Sequence, residues 1–132
     1  MIVLDASAGV DLVCRNGERG DRIAARLAGE FTVHVPAVFD LEVLHALRDL
    51  EAGGSLSPER LRAALTDLSD LRAARHGHEQ LRPRVWALRH NLTAYDAAYI
   101  ALAELLEAPL LTTDRPLSRS SGHTARIELP AT

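Results

Sequence analysis

The first seven residues, MIVLDAS (1–7), decide the fold of this chain. Residues 2–5 are predicted to form a short strand, because an apolar Ile-Val-Leu run is typical of a strand buried on both faces. Asp5 closes the strand, and Ser7 can cap a helix over residues 7–14. A buried strand followed at once by a helix indicates a parallel sheet, in which functional groups lie at the carboxyl ends of the strands.

The same alternation of short apolar strands and amphipathic helices continues along the chain. The sequence predicts further strands at 31–35, 110–112 and 125–129, and helices at 18–28, 36–52, from Ser57 to about Leu71, at 79–90 and 94–107, and as a single turn at 115–119. Such a pattern predicts an α/β fold, a three-layer α/β/α sandwich with a short central parallel sheet. No repeat or linker interrupts it, so residues 1–132 are expected to form a single domain.

Composition narrows the class of protein. Hydrophobic residues make up 47% of the 132 residues, which is typical of a globular chain. No apolar run approaches the roughly 18–20 residues of a membrane span, and the N-terminus lacks the basic segment of a signal peptide. Cys14 is the single cysteine, so no intrachain disulfide can form. These features predict a cytoplasmic protein without a membrane segment.

The charged residues exclude several kinds of chemistry. The formal net charge is −3, and all 15 basic residues are arginine. Without lysine, the chain can have neither a Walker A phosphate loop nor Schiff-base chemistry. The net charge also argues against charge-driven, nonspecific binding of nucleic acid, although a local arginine rim remains open. Phosphatases of the haloacid-dehalogenase type place a second Asp two residues after the first, where this chain has Ser7.

Four acidic residues occupy positions where acids are unfavourable: Asp5, Glu42, Asp96 and Asp114. Asp5 and Asp114 end strand-like runs, whereas Glu42 and Asp96 share the apolar faces of predicted helices. Each has an ordinary explanation, as a turn residue, a stray surface Glu, a helix-dipole partner or a helix cap. A buried carboxylate is nonetheless costly unless it is paired, protonated or bound to a cation. Together, the four indicate a divalent-metal site.

Two other features carry weaker signals. The stretch His76-Gly77-His78-Glu79 could suggest zinc, but two histidines without further ligands at suitable spacing favour a solvated loop. Trp86 is predicted to be a half-buried packing residue rather than a platform for stacking bases.

Four blocks of sequence carry a resemblance to a known family. They are MIVLDAS (1–7), PAVFDLE (36–42), LTAYDAAYIALA (92–103) and LLTTDRPL (110–117). In order and spacing these blocks resemble PIN-domain ribonucleases, and in particular the VapC-type toxins of bacterial toxin–antitoxin pairs. The resemblance covers nearly the whole chain, and the third block is its most specific part.

The resemblance implies a site and a reaction. Asp5, Asp96 and Asp114 would bind Mg²⁺ or Mn²⁺ directly or through water, and Glu42 would hold metal-bound water and help to deprotonate it. The resemblance also implies supporting hydroxyls, those of Ser7 and Thr112. Hydrolysis of RNA would leave a 5′-phosphate.

Arg115 is a candidate for a phosphate contact, because its guanidinium fork matches phosphate oxygens. Some relatives carry a further Asp or Asn just after the last acid, where this chain has Arg115-Pro116. The number of metal ions, one or two, therefore stays open. The family further implies a homodimer and a cognate VapB-type antitoxin.

Two alternatives from other classes remain. A PIN-like domain that has lost cleavage could serve as a binding or assembly module, although the four acids argue against this. A metal-dependent phosphatase or DNA nuclease would use the same site chemistry. The sequence does not identify the RNA that is cut, because fold and site set the reaction rather than the target.

Overall fold

A computed structural model describes residues 1–131. Its elements, in chain order, are β1 (Ile2–Leu4), α1 (Ala6–Val13), α2 (Gly17–Ala28), β2 (Val33–Pro36), α3 (Phe39–Ala52), α4 (Pro58–Asp70), β3 (Ala74–His76), α5 (Arg82–Ala87), α6 (Ala94–Leu106), β4 (Leu110–Leu111), α7 (Arg115–Ser118) and β5 (Ile127–Glu128). The five strands form one parallel sheet in the order β3-β2-β1-β4-β5. The predicted α/β/α sandwich with a short parallel sheet is confirmed.

The central strand β1 lies in the hydrophobic core. Ile2, Val3 and Leu4 are all completely buried, as expected of a strand covered on both faces. Helix α6 packs against β1, β2 and β4, with α5 beside it, whereas α1 packs against α2, α3 and α4. No helix within residues 1–131 is long and apolar enough to cross a membrane.

The strand order places a crevice beside β1. Strands β2 and β3 are added on one side of β1, and the chain then returns to add β4 and β5 on the other. In open parallel sheets, such a reversal leaves a crevice outside the carboxyl ends of the strands, where ligands bind. Asp5 follows β1 directly and Asp114 lies shortly after the neighbouring β4, so both acids reach this edge.

Helix α3 lies close to α1 because Gly9 has no side chain. A Cβ atom at Gly9 would lie 2.7 Å from the Phe39 ring, so a larger residue would force the two helices apart. Phe39 is fully buried at the start of α3. This close approach brings the first turns of α3, including Glu42, toward the strand end that carries Asp5.

Several boundaries differ from the prediction. The region after α4, where no element was predicted, contains the edge strand β3, in which Ala74 and Arg75 are exposed. Its pairing with β2 depends on backbone hydrogen bonds rather than on apolar side chains, so the hydrophobic pattern gave no signal. The helix predicted at 79–90 is shorter, spanning only Arg82–Ala87.

The histidines near β3 also differ from the prediction of a solvated loop. His76 lies in the strand, and its Nε2 is 2.8 Å from Nδ1 of His34 on β2. His78 Nε2 accepts a hydrogen bond from the backbone N–H of Val38 at 3.2 Å. No group of three or more His, Cys, Asp or Glu side chains in residues 1–131 is gathered closely enough to hold a metal ion.

The prediction for Trp86 was wrong. Its side chain is 68% exposed rather than half-buried, and the Arg89 guanidinium lies over the ring at 4.5 Å from the ring centre. This cation–π contact covers one face of the indole without burying it.

Candidate active site

Asp5 is the buried centre of the candidate site. Its side chain is only 5% exposed, and its Oδ2 accepts hydrogen bonds from the hydroxyls of Ser7 at 2.7 Å and Thr112 at 2.6 Å. Burial raises the pKa of Asp5, and the nearby charge of Asp114 adds to this rise, whereas the two hydroxyls and the backbone N–H of Ala6 oppose it. Asp5 is therefore held in place by hydrogen bonds that favour its ionised form.

The two hydroxyls also fix the loop that follows β4. Ser7 Oγ accepts from the backbone N–H of Thr113 at 3.1 Å, and Thr112 Oγ1 accepts from that of Asp114 at 3.0 Å. Because each hydroxyl has one proton and gives it to Asp5, their own 3.1 Å approach is a contact without a shared proton. Ser7 and Thr112, expected to orient the carboxylates of the site, both donate to Asp5 in this structure.

The local role first expected of Ser7 was wrong. Helix α1 begins at Ala6, with Asp5 at the N-cap position, so Ser7 lies inside the first turn and caps nothing. Its hydroxyl is thereby free to bond Asp5 and the β4 loop. A short strand that passes directly into a helix leaves no room for a separate capping residue.

Asp114 caps a helix and also lies at the edge of the sheet. Its Oδ1 accepts from the backbone N–H of Leu117 at 3.1 Å, which caps the short helix α7 as predicted. Its backbone is tied to Thr112, and through Thr112 to Asp5. The capping hydrogen bond therefore keeps the Asp114 carboxylate at the end of the strand. This structural role is compatible with a functional role at the same place.

Asp96 reaches the same edge from the first turn of α6. The N-cap Thr93 accepts a hydrogen bond from the backbone N–H of Asp96 at 3.2 Å. Burial raises the pKa of Asp96, and the charges of Asp5 and Asp114 raise it further. Asp96 is half-buried and turned toward the other two carboxylates.

Glu42 is held by Tyr99, a buried residue of α6. The Tyr99 hydroxyl donates a 2.7 Å hydrogen bond to Glu42 Oε1, and the Tyr99 side chain is fully buried. Burial raises the pKa of Glu42; the Tyr99 bond opposes the rise, and the charges of Asp5 and Asp96 add to it. Burial and the bond to Glu42 raise the pKa of Tyr99, so it stays a donor.

The sequence carries a partial signal for Tyr99, although it does not identify Glu42 as the partner. A buried tyrosine usually finds a hydrogen-bond partner for its hydroxyl, and Tyr99 lies one helical turn after Asp96. Those two facts together point its hydroxyl toward the acidic edge.

The four acids form one electrostatic unit. The charge of Asp5 raises the pKa values of both Glu42 and Asp96, and the charge of Asp114 raises those of Asp5 and Asp96. Within residues 1–131, no basic side chain is among the influences on the pKa values of Asp5, Glu42 or Asp96. The site therefore carries negative charge that the protein itself does not neutralise.

This donor set fits a hard divalent cation. All four side chains offer carboxylate oxygens, which Mg²⁺ and Mn²⁺ prefer, and a cation would relieve their mutual repulsion. No three of the described acids are already drawn together at coordinating distance. A cation that keeps several of its waters could bridge such a spacing, since Mg²⁺ is commonly held by only one or two carboxylates.

The fold and this acidic crevice define an α/β domain with a hydrolase-like site at the carboxyl edge of its sheet. The family model "PIN domain" matches residues 2–122. The chain belongs to the PIN domain family, and the resemblance to its VapC-type members is confirmed.

Individual relatives agree with this assignment. Ribonuclease VapC12 of Mycobacterium tuberculosis is 42% identical over 131 residues, covering 99% of this chain and 100% of that protein. Ribonuclease VapC3 of the same species is 42% identical over 119 residues, covering 90% of this chain and 86% of that protein. The crystal structure of VapBC2 from Rickettsia felis, bound to a DNA fragment from its promoter, shares the fold with a TM-score of 0.69 at 15% identity, covering 98% of both chains.

Proposed function

We propose that this protein is a metal-dependent endoribonuclease that acts as the toxin of a toxin–antitoxin pair. The observation that carries the proposal is the meeting of Asp5, Glu42, Asp96 and Asp114 at one sheet edge without a basic partner in the described residues. The two mycobacterial relatives named as ribonucleases support RNA as the substrate. The neighbouring toxin–antitoxin structure supports an antitoxin partner.

In this proposal, Asp5, Asp96 and Asp114 hold Mg²⁺ or Mn²⁺, directly or through water. When bound, such a cation polarises the scissile phosphate, lowers the pKa of attacking water and neutralises charge on the leaving oxygen. The hydroxyls of Ser7 and Thr112 keep the Asp5 carboxylate in one orientation, which limits the rearrangement that binding requires.

In this proposal, Glu42 receives a proton. Burial and neighbouring charges raise its pKa, which brings a carboxylate closer to the range useful for a general base. Tyr99 donates to one of its oxygens, Oε1, and thereby fixes the orientation of the carboxylate. Glu42 would accept the proton of water in line with the scissile phosphate.

The exposed face of α3 carries apolar side chains that suit contact with a protein partner. Leu41 and Leu44 lie on the exposed face of this helix and are 68% and 41% exposed. Neighbouring apolar residues on a helix surface supply the kind of area that a homodimer or a VapB-type antitoxin can cover. The net charge of −3 also suits an antitoxin with a basic tail.

The decisive experiment compares, in cells, the wild type with variants that are expected to lose nuclease activity. Wild type, Asp5→Ala and Asp96→Asn are expressed inducibly, and new RNA 5′ ends are mapped. Asp96→Asn is the more informative variant, because the Asp96 side chain has no hydrogen bond to lose within residues 1–131. Asp70→Asn, an exposed Asp at the end of α4, is the matched control.

We expect growth arrest and new 5′ ends with wild type and Asp70→Asn only. If Asp5→Ala and Asp96→Asn arrest growth and cut RNA as wild type does, the proposal is wrong. Cleavage of DNA but not RNA by the purified protein would instead support a DNA nuclease.

A further inference from the structure

A second pocket, rich in arginine, opens beside the acidic site. It has a volume of about 190 Å³ and is lined by Arg19 and Arg22 of α2, by Thr113 and Arg115 after β4, and by residues 129–131. Thr113 and Arg115 flank Asp114 in the sequence. The pocket therefore lies next to Asp114, although none of the four acids lines it.

The three guanidinium groups retain capacity for a ligand. Arg115 is exposed, and it takes part in none of the ion pairs found within residues 1–131. Arg19 reaches Asp11 Oδ2 only at 3.4 Å, whereas Asn16 holds the other oxygen of Asp11 at 2.8 Å.

Arg22 is paired only loosely. Its partner is Glu18, one helical turn away on α2, at 3.0 Å. The Glu18 side chain is 84% exposed, and an exposed pair of this kind contributes little and is easily exchanged for another anion.

Charge indicates what such a pocket binds. The unneutralised acids repel a polyanion, and the chain as a whole has a net charge of −3. A strand whose scissile phosphate lies at the acids also carries phosphates on the adjacent nucleotides, and these need positive charge nearby. Guanidinium forks bind phosphate oxygens through two parallel hydrogen bonds, so three of them beside the acids suit this need.

We propose that Arg19, Arg22 and Arg115 form a phosphate-binding pocket that holds the backbone of the RNA strand beside the scissile position. This inference rests on the proposed nuclease function of the adjacent acids. Phosphate contacts fix the register of a strand and carry no sequence information, so the pocket positions RNA rather than selecting it. The same positive charge disfavours the basic tail expected of an antitoxin.

The test measures RNA binding without cleavage. In an Asp96→Asn background with Mg²⁺ present, fluorescence anisotropy gives the Kd for two labelled single-stranded RNAs of equal length and different sequence, at several salt concentrations. The variants are Arg115→Gln and the pair Arg19→Gln with Arg22→Gln. Arg62→Gln, at an exposed site on α4, is the matched control.

We expect Arg115→Gln to weaken binding by about tenfold, as for the loss of one hydrogen-bonded charge. The logarithm of the association constant decreases as the logarithm of the salt concentration rises. This slope should become less steep by about 0.7 for each phosphate contact removed. Both RNAs should be affected equally, and Arg62→Gln should leave the Kd and the slope unchanged. Arg115→Lys should keep the slope while weakening binding, because it keeps the charge and loses the fork.

Several results would overturn the inference. One is an unchanged Kd and slope in the arginine variants, another is an equal loss of RNA binding in Arg62→Gln, and a third is no RNA binding by the background variant. If the arginine variants lose binding only to a poly-glutamate peptide, the pocket binds an acidic protein segment instead. Melting curves exclude unfolding, and Arg115→Lys provides the test if Arg115→Gln does not fold. RNA cleavage by wild type with normal binding in the arginine variants would refute this pocket and leave the nuclease proposal standing.

Discussion

Replacing Tyr99 with Phe removes one hydroxyl from the buried side of the acidic site. The wild-type hydroxyl donates to Glu42 Oε1 over 2.7 Å from a side chain with no exposed surface. A hydrogen bond to a charged group contributes about 1.5–3 kcal/mol to stability. Because Glu42 is only half-buried, water can partly replace the lost donor, and the expected loss for Tyr99→Phe is about 1.5–2 kcal/mol at neutral pH.

The pH dependence of this loss follows from the direction of the pKa shift. The Tyr99 bond lowers the pKa of Glu42 against a larger rise caused by burial, so it stabilises the ionised carboxylate. Its contribution is therefore complete above the pKa of Glu42 and falls as the pH drops below it. We expect the difference between Tyr99→Phe and wild type to shrink in acid.

Urea denaturation in EDTA at neutral and acidic pH measures this difference. Tyr95→Phe is the matched control, because Tyr95 lies on the same helix, is 60% exposed and makes no hydrogen bond through its hydroxyl within residues 1–131. Equal losses for the two variants, or a loss in Tyr99→Phe that grows in acid, would refute the assigned contact with Glu42.

Three further predictions concern charge and hydroxyls at the site. Asp96→Asn should raise the melting temperature of the metal-free protein at neutral pH, because burial and the charges of Asp5 and Asp114 raise the pKa of Asp96; this gain should vanish in acid, where wild-type Asp96 is protonated. Mg²⁺ or Mn²⁺ should raise the melting temperature of wild type more than that of Asp96→Asn in a concentration series. Thr112→Val should lower the free energy of unfolding by about 2–4 kcal/mol in urea, because two buried hydrogen bonds are lost; no change would show that water replaces them.

The elements that define the site were predictable because their side chains are apolar, which indicates that they are buried. Ile2-Val3-Leu4 and Leu110-Leu111 are continuous apolar runs, and in a parallel sheet such runs occupy buried central strands. Once these strands are assigned, the sheet rule places Asp5 and Asp114 at one edge. Thr93 and Ser57 cap the helices that begin after them, and such caps are readable from local sequence.

The features that were missed leave no trace in the pattern of apolar and polar residues. Strand β3 pairs through its backbone, so its exposed Ala74 and Arg75 give no periodic signal. Trp86 lies exposed on the short helix α5, where an arginine rather than the core covers one face of its ring. The bond between Tyr99 and Glu42 spans 57 positions and could only be placed once α3 and α6 were known to meet the same edge.

The use of arginine elsewhere in the chain bears on why the four acids lack a basic partner. Arg84 binds Glu104 through two hydrogen bonds of 2.7 and 3.0 Å and thereby lowers the pKa of Glu104 to about 2. Arg75 holds Asp40 with the same fork geometry. Within residues 1–131, no arginine is among the influences on the pKa values of Asp5, Glu42 and Asp96, and the charges of the site acids raise one another's pKa values instead. Because that repulsion opposes folding, the divalent cation proposed above should restore stability when it binds.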